Sequence, residues 1–325
     1  VAVLIAAGMA IAACSGSPEP APTSPAARPV SGHPTTTTEA GPRPPANGVV
    51  LGAWVQPQVY TDPGRIQAVR DYEQAIGRPL GLVQDFHPWD ESFPSAFDRY
   101  VVNSGATLLL SWAGTNTQQI AEGKDDALIE QRARALKDLG KPVLLRWRWE
   151  MDRPNLASEV LGPEQYVAAW RHIREIFARV GADNVGWVWC PLAGGFDSGA
   201  AEAYYPGDDQ VDWICADVYA DDPSVPFAKV AGSFLTWAAA HPRPIVFAEV
   251  GTQRAGTGQR ARWLRDAATT LRDNVQVKSF VYFESNVNRD GRVRNWSLRG
   301  WSDDLGVMRE LADDRYFGAE LLPDR

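Results

Sequence analysis

Two glutamates close buried-looking apolar runs: Glu150 ends PVLLRWRWE (142–150) and Glu249 ends PIVFAE (244–249). A carboxylate at the end of a buried strand must be paired or must have work to do, because burying it bare is costly. For Glu150 the structural alternative is an ion pair with Arg146 or Arg148. Two carboxyls facing each other across a cleft can divide labour. One stays neutral and donates a proton, while the other stays charged and attacks carbon or accepts a proton. Other residues at the ends of apolar runs are Trp54, Asp85, His87, Trp112, Trp189, Asp217, Tyr219 and Glu284. Acidic and aromatic groups dominate this set, which suits a neutral carbohydrate better than a phosphate or carboxylate ligand. The 13 tryptophans fit that bias, since an indole that is not core filler offers a flat apolar face to a sugar ring.

The elements that must position these groups follow from periodicity. Continuous apolar runs at 49–55, 80–84, 107–112, 142–149, 185–190, 211–219, 244–250 and 279–284 read as parallel strands buried on both faces. Between them lie amphipathic stretches. The stretch 126–139 keeps Leu128, Ile129, Ala133 and Leu136 on one stripe and stops at Gly140, while 165–180 stops at Gly181 and 259–271 repeats the design. Eight strands alternating with helices indicate an α/β chain closed as a (β/α)₈ barrel over residues 48–325; a doubly wound sheet is the competitor. In such a barrel the site lies at the C-terminal ends of the strands. No glycine-rich phosphate loop follows the first strand, and neither CxxC nor HExxH spacing occurs, so no cofactor or metal is expected. The formal charge of -8 argues against a nucleic-acid partner. A monomer acting on a polysaccharide is the expectation.

Ahead of the barrel the composition changes. Residues 1–14 are small and apolar, too short to span a bilayer, and end Ile-Ala-Ala-Cys14; they read as a lipoprotein-type export signal with lipidation at Cys14. Residues 15–47 are rich in Pro, Thr, Ser and Ala and read as a disordered tether, leaving the lipid as the one membrane contact and the cell envelope or exterior as the location. Cys190 and Cys215 read as buried free thiols, with a disulfide the alternative.

Several of these segments resemble glycoside hydrolase family 26, the β-mannanase-like branch of the retaining (β/α)₈ glycosidases. Residues 142–152 resemble its "LLR..HEMN" segment, 204–213 (YYPGDDQVDW) resemble its "YYPGDDYVDW" segment, and 185–191, with Trp187 and Trp189, resemble its fifth strand. The resemblance implies an acid/base at Glu150, a nucleophile at Glu249 and a nucleophile-orienting tyrosine at Tyr219. It also makes Trp112 similar to the family's sugar platform. The expected carboxyl separation is ~5–5.5 Å, with the Glu150 pKa raised by neighbours such as Trp149 and by the Glu249 charge. Two departures stand out: Trp149 replaces the family's His and Asp152 its Asn. The first position borders the sugar at the point of cleavage, so recognition of hydroxyls must differ.

The remaining candidates for substrate contact are Trp149, Trp189, Arg146, His87, Asp217 and Trp296. His87 would meet a sugar hydroxyl or a backbone carbonyl, and Asp217 would orient Tyr219 or pair with an arginine. Trp296 sits in the polar loop with Asn286, Asn288, Arg289, Arg292 and Arg294. The function implied is endo-acting hydrolysis of a β-linked polysaccharide, mannan by default, with mixed-linkage glucan, β-1,3-xylan or a cell-envelope glycan behind it. A non-catalytic glycan-binding lipoprotein on the same barrel is the competing class, and a phosphate-binding barrel enzyme is the weaker third.

Overall fold

The computed structural model describes residues 41–323 apart from 287, 290 and 291, so the expected signal segment, Cys14 and most of the tether lie outside the described residues. Nine strands follow in chain order: β1 (Val50–Val55), β2 (Leu82–His87), β3 (Thr107–Trp112), β4 (Val143–Trp147), β5 (Val185–Trp189), β6 (Trp213–Cys215), β7 (Val218–Ala220), β8 (Ile245–Thr252) and β9 (Val277–Glu284). All their pairings are parallel. β1 pairs with both β2 and β9, while β6 and β7 both pair with β8, so the sheet closes on itself. β6 and β7 are two segments of one stave, interrupted at Ala216 and Asp217, where Asp217 pairs with the chain beyond β5 instead. The result is a closed (β/α)₈ barrel of eight parallel staves.

Helices fill the outer layer. Asp126–Leu139, Pro163–Val180 and Gln259–Asp273 form where the apolar stripes require them, and the first two end at left-handed Gly140 and Gly181. Their buried stripes pack on outward residues of the staves such as Leu108, Leu145 and Phe247. A second cluster fills the lumen: Val50, Leu82, Leu109, Leu144, Val188, Trp213, Val246 and Val281. These two clusters define the parity of each strand, and parity decides which residues reach the mouth.

Two boundaries differ from the sequence reading. β2 runs to His87 rather than ending at Gln84. Residues 41–47, expected in the tether, pack on the barrel: Gly41 N–H donates to the Asp183 carbonyl at 3.0 Å, Arg43 bridges to Leu322, and the Trp213 indole donates to the Pro42 carbonyl at 3.2 Å. Only glycine fits at Gly41, where φ is +74° and a Cβ would lie 2.1 Å from the Gly186 nitrogen. Composition failed there because the anchoring is done by backbone groups rather than apolar side chains.

Candidate active site

At the C-terminal mouth, the inward parity positions are Trp54 on β1, Gln84 and Phe86 on β2, Ser111 on β3, Arg146 on β4, Asp217 and Tyr219 around β7, and Phe283 on β9. Glu249 joins them because the β8–β9 register slips between Phe247 and Val250, turning Glu249 inward one residue after Ala248. Glu150 arrives differently. Arg148 and Glu150 both adopt left-handed backbone (φ 48° and 52°), a strain of order 1–3 kcal/mol per non-glycine residue. The bend is held by the Arg148 N–H on the Trp112 carbonyl at 2.9 Å and the Glu150 N–H on the Cys190 carbonyl at 2.8 Å.

These turns bring the two glutamates together. One carboxylate oxygen from each of Glu150, Asp217 and Glu249 lies within 4.8 Å of the others. Both glutamates stay 6% exposed, so neither is sealed beneath its ion pair. Burial, then the Glu249 charge, lift the Glu150 pKa to about 7 against the opposing pull of Arg153 and Arg146. Arg153 donates to Glu150 Oε2 at 2.6 Å.

Arg146 is the hub beneath the pair. It is fully buried, and donates to Glu249 Oε1 at 2.5 Å, to both Asp217 oxygens at 2.8 Å and to Ser111 Oγ at 2.9 Å. The Gln84 amide, oriented to satisfy its neighbours, accepts from Arg146 at 2.6 Å and donates to the Ala248 carbonyl at 2.9 Å. Tyr219 donates to the other Glu249 oxygen, Oε2, at 2.6 Å. Burial first, and then the Glu249 charge, hold the Tyr219 hydroxyl protonated well above its ordinary range, which fixes it as a donor. Both Glu249 oxygens are thereby oriented. A cation among these three acids is opposed by the guanidinium already bridging Asp217 and Glu249.

Aromatic rings wall the cleft. Trp54 stacks on Phe283 (4.5 Å between centroids), Phe86 meets Trp149 edge-on at 5.1 Å, and Trp296 stacks on Tyr219 at 4.3 Å. The Arg146 guanidinium lies 5.2 Å from the Trp149 ring centre. Gly251 permits the Tyr219–Trp296 stack, since a Cβ there would sit 3.1 Å from Trp296 and 3.2 Å from Tyr219.

Among the expected site residues, Glu150, Glu249, Tyr219, Asp217, Arg146, Trp149 and Trp296 converge, with Asp217 pairing to Arg146 rather than orienting Tyr219. Three do not reach the cleft. His87, Trp112 and Trp189 occupy outward parity on β2, β3 and β5 and are buried beneath the helical layer. Trp112 stacks face to face on Trp89 (4.3 Å) and donates to its carbonyl, leaving no free face for a sugar. Trp189 donates to the Tyr204 carbonyl and packs on Tyr205 and Trp237. His87 is enclosed with Asp85 and Asp98. Glu284 also points outward, accepting from the Leu298 N–H at 2.9 Å to brace the following loop. Arg146 serves the carboxylates from beneath and is too buried to touch substrate. The Asn288, Arg289 and Arg292 side chains lie outside the described residues.

Phe86, Phe283 and Arg153 were not singled out from sequence. Counting by twos from Gln84 and Val281 would have found the first two, and the i+3 spacing from Glu150 the third. Cys190 and Cys215, expected as free thiols, are joined in a disulfide linking the end of β5 to β6. Both lie on inward parity in adjacent staves, which brings their Cα atoms to 4.4 Å.

The fold defines the class, a (β/α)₈ barrel with its polar cluster at the C-terminal mouth. The family model of glycosyl hydrolase family 26 matches residues 101–258. Endoglucanase H of Acetivibrio thermocellus is 31% identical over 268 residues, which is 77% of this chain and 29% of that protein. A β-1,3-xylanase of a Vibrio species is 31% identical over 197 residues, 52% of this chain and 41% of that protein. The chain thus spans well under half the length of either curated relative. A solved family 26 β-mannanase from Bacteroides ovatus superimposes with a TM-score of 0.63 at 16% identity, covering 83% of this chain and 90% of that one, a likeness of fold. The chain belongs to glycosyl hydrolase family 26, and so to the glycoside hydrolases.

Proposed function

We propose that the chain is a retaining, endo-acting hydrolase of a β-linked polysaccharide, with Glu249 as nucleophile and Glu150 as acid/base. The observation that carries this reading is the approach of the two carboxylates to within 4.8 Å. That spacing falls with the retaining class at ~5–5.5 Å and leaves no room for the water that an inverting pair needs at ~6.5–9.5 Å. The Glu249 carboxylate attacks the anomeric carbon while Glu150 gives its proton to the departing glycosidic oxygen, so the C–O bond breaks as the glycosyl ester forms. Water then attacks the same carbon, Glu150 takes its proton, and Glu249 leaves as carboxylate. Arg146 and Tyr219 hold Glu249 in line throughout, and the raised pKa of Glu150 keeps it protonated near neutrality.

For the substrate, the sequence relatives favour a β-glucan first and a β-1,3-xylan second. Mannan, the default from motif resemblance alone, falls behind them, because the mannanase likeness speaks for fold and Trp149 alters the position beside the cleaved sugar. Export through residues 1–14, with a lipid on Cys14, belongs to the same proposal. It is supported by the Cys190–Cys215 disulfide, which suits an oxidising compartment. Incubation with soluble β-glucan, β-1,3-xylan and β-mannan tests the function. The wild type should release oligosaccharides from one of them, and Glu249→Ala and Glu150→Ala should bind that polymer without cleaving it. Wild-type binding with no product on any polymer would make the chain a glycan-binding protein instead.

A further inference from the structure

Outside the barrel, between β2 and the helix Ala96–Asn103, lies a second polar cluster that the proposed chemistry does not use. Asp85 and His87 occupy successive outward positions of β2, and Asp98 sits in the first turn of the helix. All three are buried, at 2%, 1% and 0% exposed. One ligand atom from each lies within 4.8 Å of the others. His87 Nε2 is 3.0 Å from Asp98 Oδ2 and 3.4 Å from Asp85 Oδ2. Yet neither ring nitrogen of His87 makes a hydrogen bond among the described residues, and Asp85 Oδ2 and Asp98 Oδ1 likewise lack one. Buried polar atoms are normally satisfied, and several orphaned together around one point call for a missing partner.

We propose that Asp85, His87 and Asp98 bind a divalent cation of the zinc type as a structural site. Ligands ~2.0–2.1 Å from a tetrahedral zinc stand ~3.3 Å apart, and the two measured edges bracket that value. One imidazole and two carboxylates are a nitrogen–oxygen set for zinc or a neighbouring transition ion, and too few hard donors for calcium. The outer contacts fit as well. His87 Nδ1 faces the Glu91 carboxylate at 3.7 Å, the arrangement in which a metal-bound histidine turns its other nitrogen to an acid. Charge agrees too: Asp85, Asp98 and Glu91 bring three negative charges against the single positive charge of Arg65, 3.7 Å from Asp85. A divalent ion balances them. The cation would fasten the segment 88–95, which carries Trp89, and the helix after it to the barrel. No motif announced this site, because its ligands come from one strand and one helix rather than a local loop.

The full chain, purified without a polyhistidine tag, is dialysed against zinc-free buffer and assayed for bound metal by mass spectrometry. The site predicts about one zinc per folded chain, retained in Glu150→Gln and lost in His87→Gln, with a chelator lowering the wild-type Tm but not that of the variant. Where His87→Gln fails to fold, cobalt titration of the zinc-depleted wild type decides, since a tetrahedral N/O site gives intense visible bands. A folded wild type that holds no zinc and develops no bands with cobalt would overturn the proposal and leave His87 as a buried imidazolium. Zinc retained equally by His87→Gln would also overturn it, locating the metal elsewhere.

Discussion

The Arg153–Glu150 contact offers a sharp handle on the proposed acid. Arg153 lies 2.6 Å from Glu150 Oε2 and is one of two cations opposing the burial and the Glu249 charge that set the Glu150 pKa at about 7. An opposite charge at this range lowers a carboxyl by about 1–3 units, and the Arg153 side chain is 31% exposed, so solvent screening favours the low end, about one unit. Arg153→Gln keeps a hydrogen-bond donor and removes the charge, so Glu150 should hold its proton to higher pH. In the wild type, kcat/KM should fall as pH rises through about 7, because the ionised Glu150 has no proton for the leaving oxygen. In Arg153→Gln the same limb should move up by about one unit, giving roughly tenfold more of the active form two units above the wild-type midpoint. The assay is initial rate on the cleaved polymer at low concentration between pH 5 and 10. An active variant whose alkaline limb stays at the wild-type position would refute the assignment of that limb to Glu150.

Two further outcomes follow from the same charges. The folded-state pKa of Glu150 is raised, so the stability present below its unfolded value near 4.5 is lost as pH rises through about 7. Glu150→Gln should therefore abolish cleavage of the polymer yet raise the Tm at pH 8 by several degrees, on the order of 1–3 kcal/mol, with little gain at pH 5. A Tm change equal at both pH values would contradict it. Arg146→Lys cannot span Asp217, Glu249 and Ser111 at once, and strands a buried carboxylate. Urea unfolding should show a loss of about 3–5 kcal/mol, and near-wild-type stability would remove Arg146 from its place as hub.

Most of the barrel was legible because parallel staves buried on both faces read as unbroken apolar runs, and helices such as Asp126–Leu139 carry their own stripe and glycine stop. The same unbroken apolarity hid parity. With no alternation between polar and apolar residues, nothing in β3 or β5 says whether Trp112 or Ser111, Trp189 or Cys190, faces the lumen. His87 was lost for a related reason: ending β2 at Gln84 turned an outward strand position into a loop. Glu249 reaches the mouth through a register slip between β8 and β9, and Glu150 through left-handed backbone. Neither device has a strong local signature, so the carboxylate pair was legible as chemistry and motif before it was legible as geometry. The Asp85–His87–Asp98 cluster stayed hidden because its parts are far apart in the chain.

The stereochemistry of the first product tests the central claim most directly. Proton NMR of the reducing end, followed from the first minutes of cleavage before mutarotation, should show the β-anomer appearing first, because two displacements at one carbon restore the starting configuration. Initial release of the α-anomer would mean a single displacement by water. That result would contradict Glu249 as nucleophile, however close it lies to Glu150.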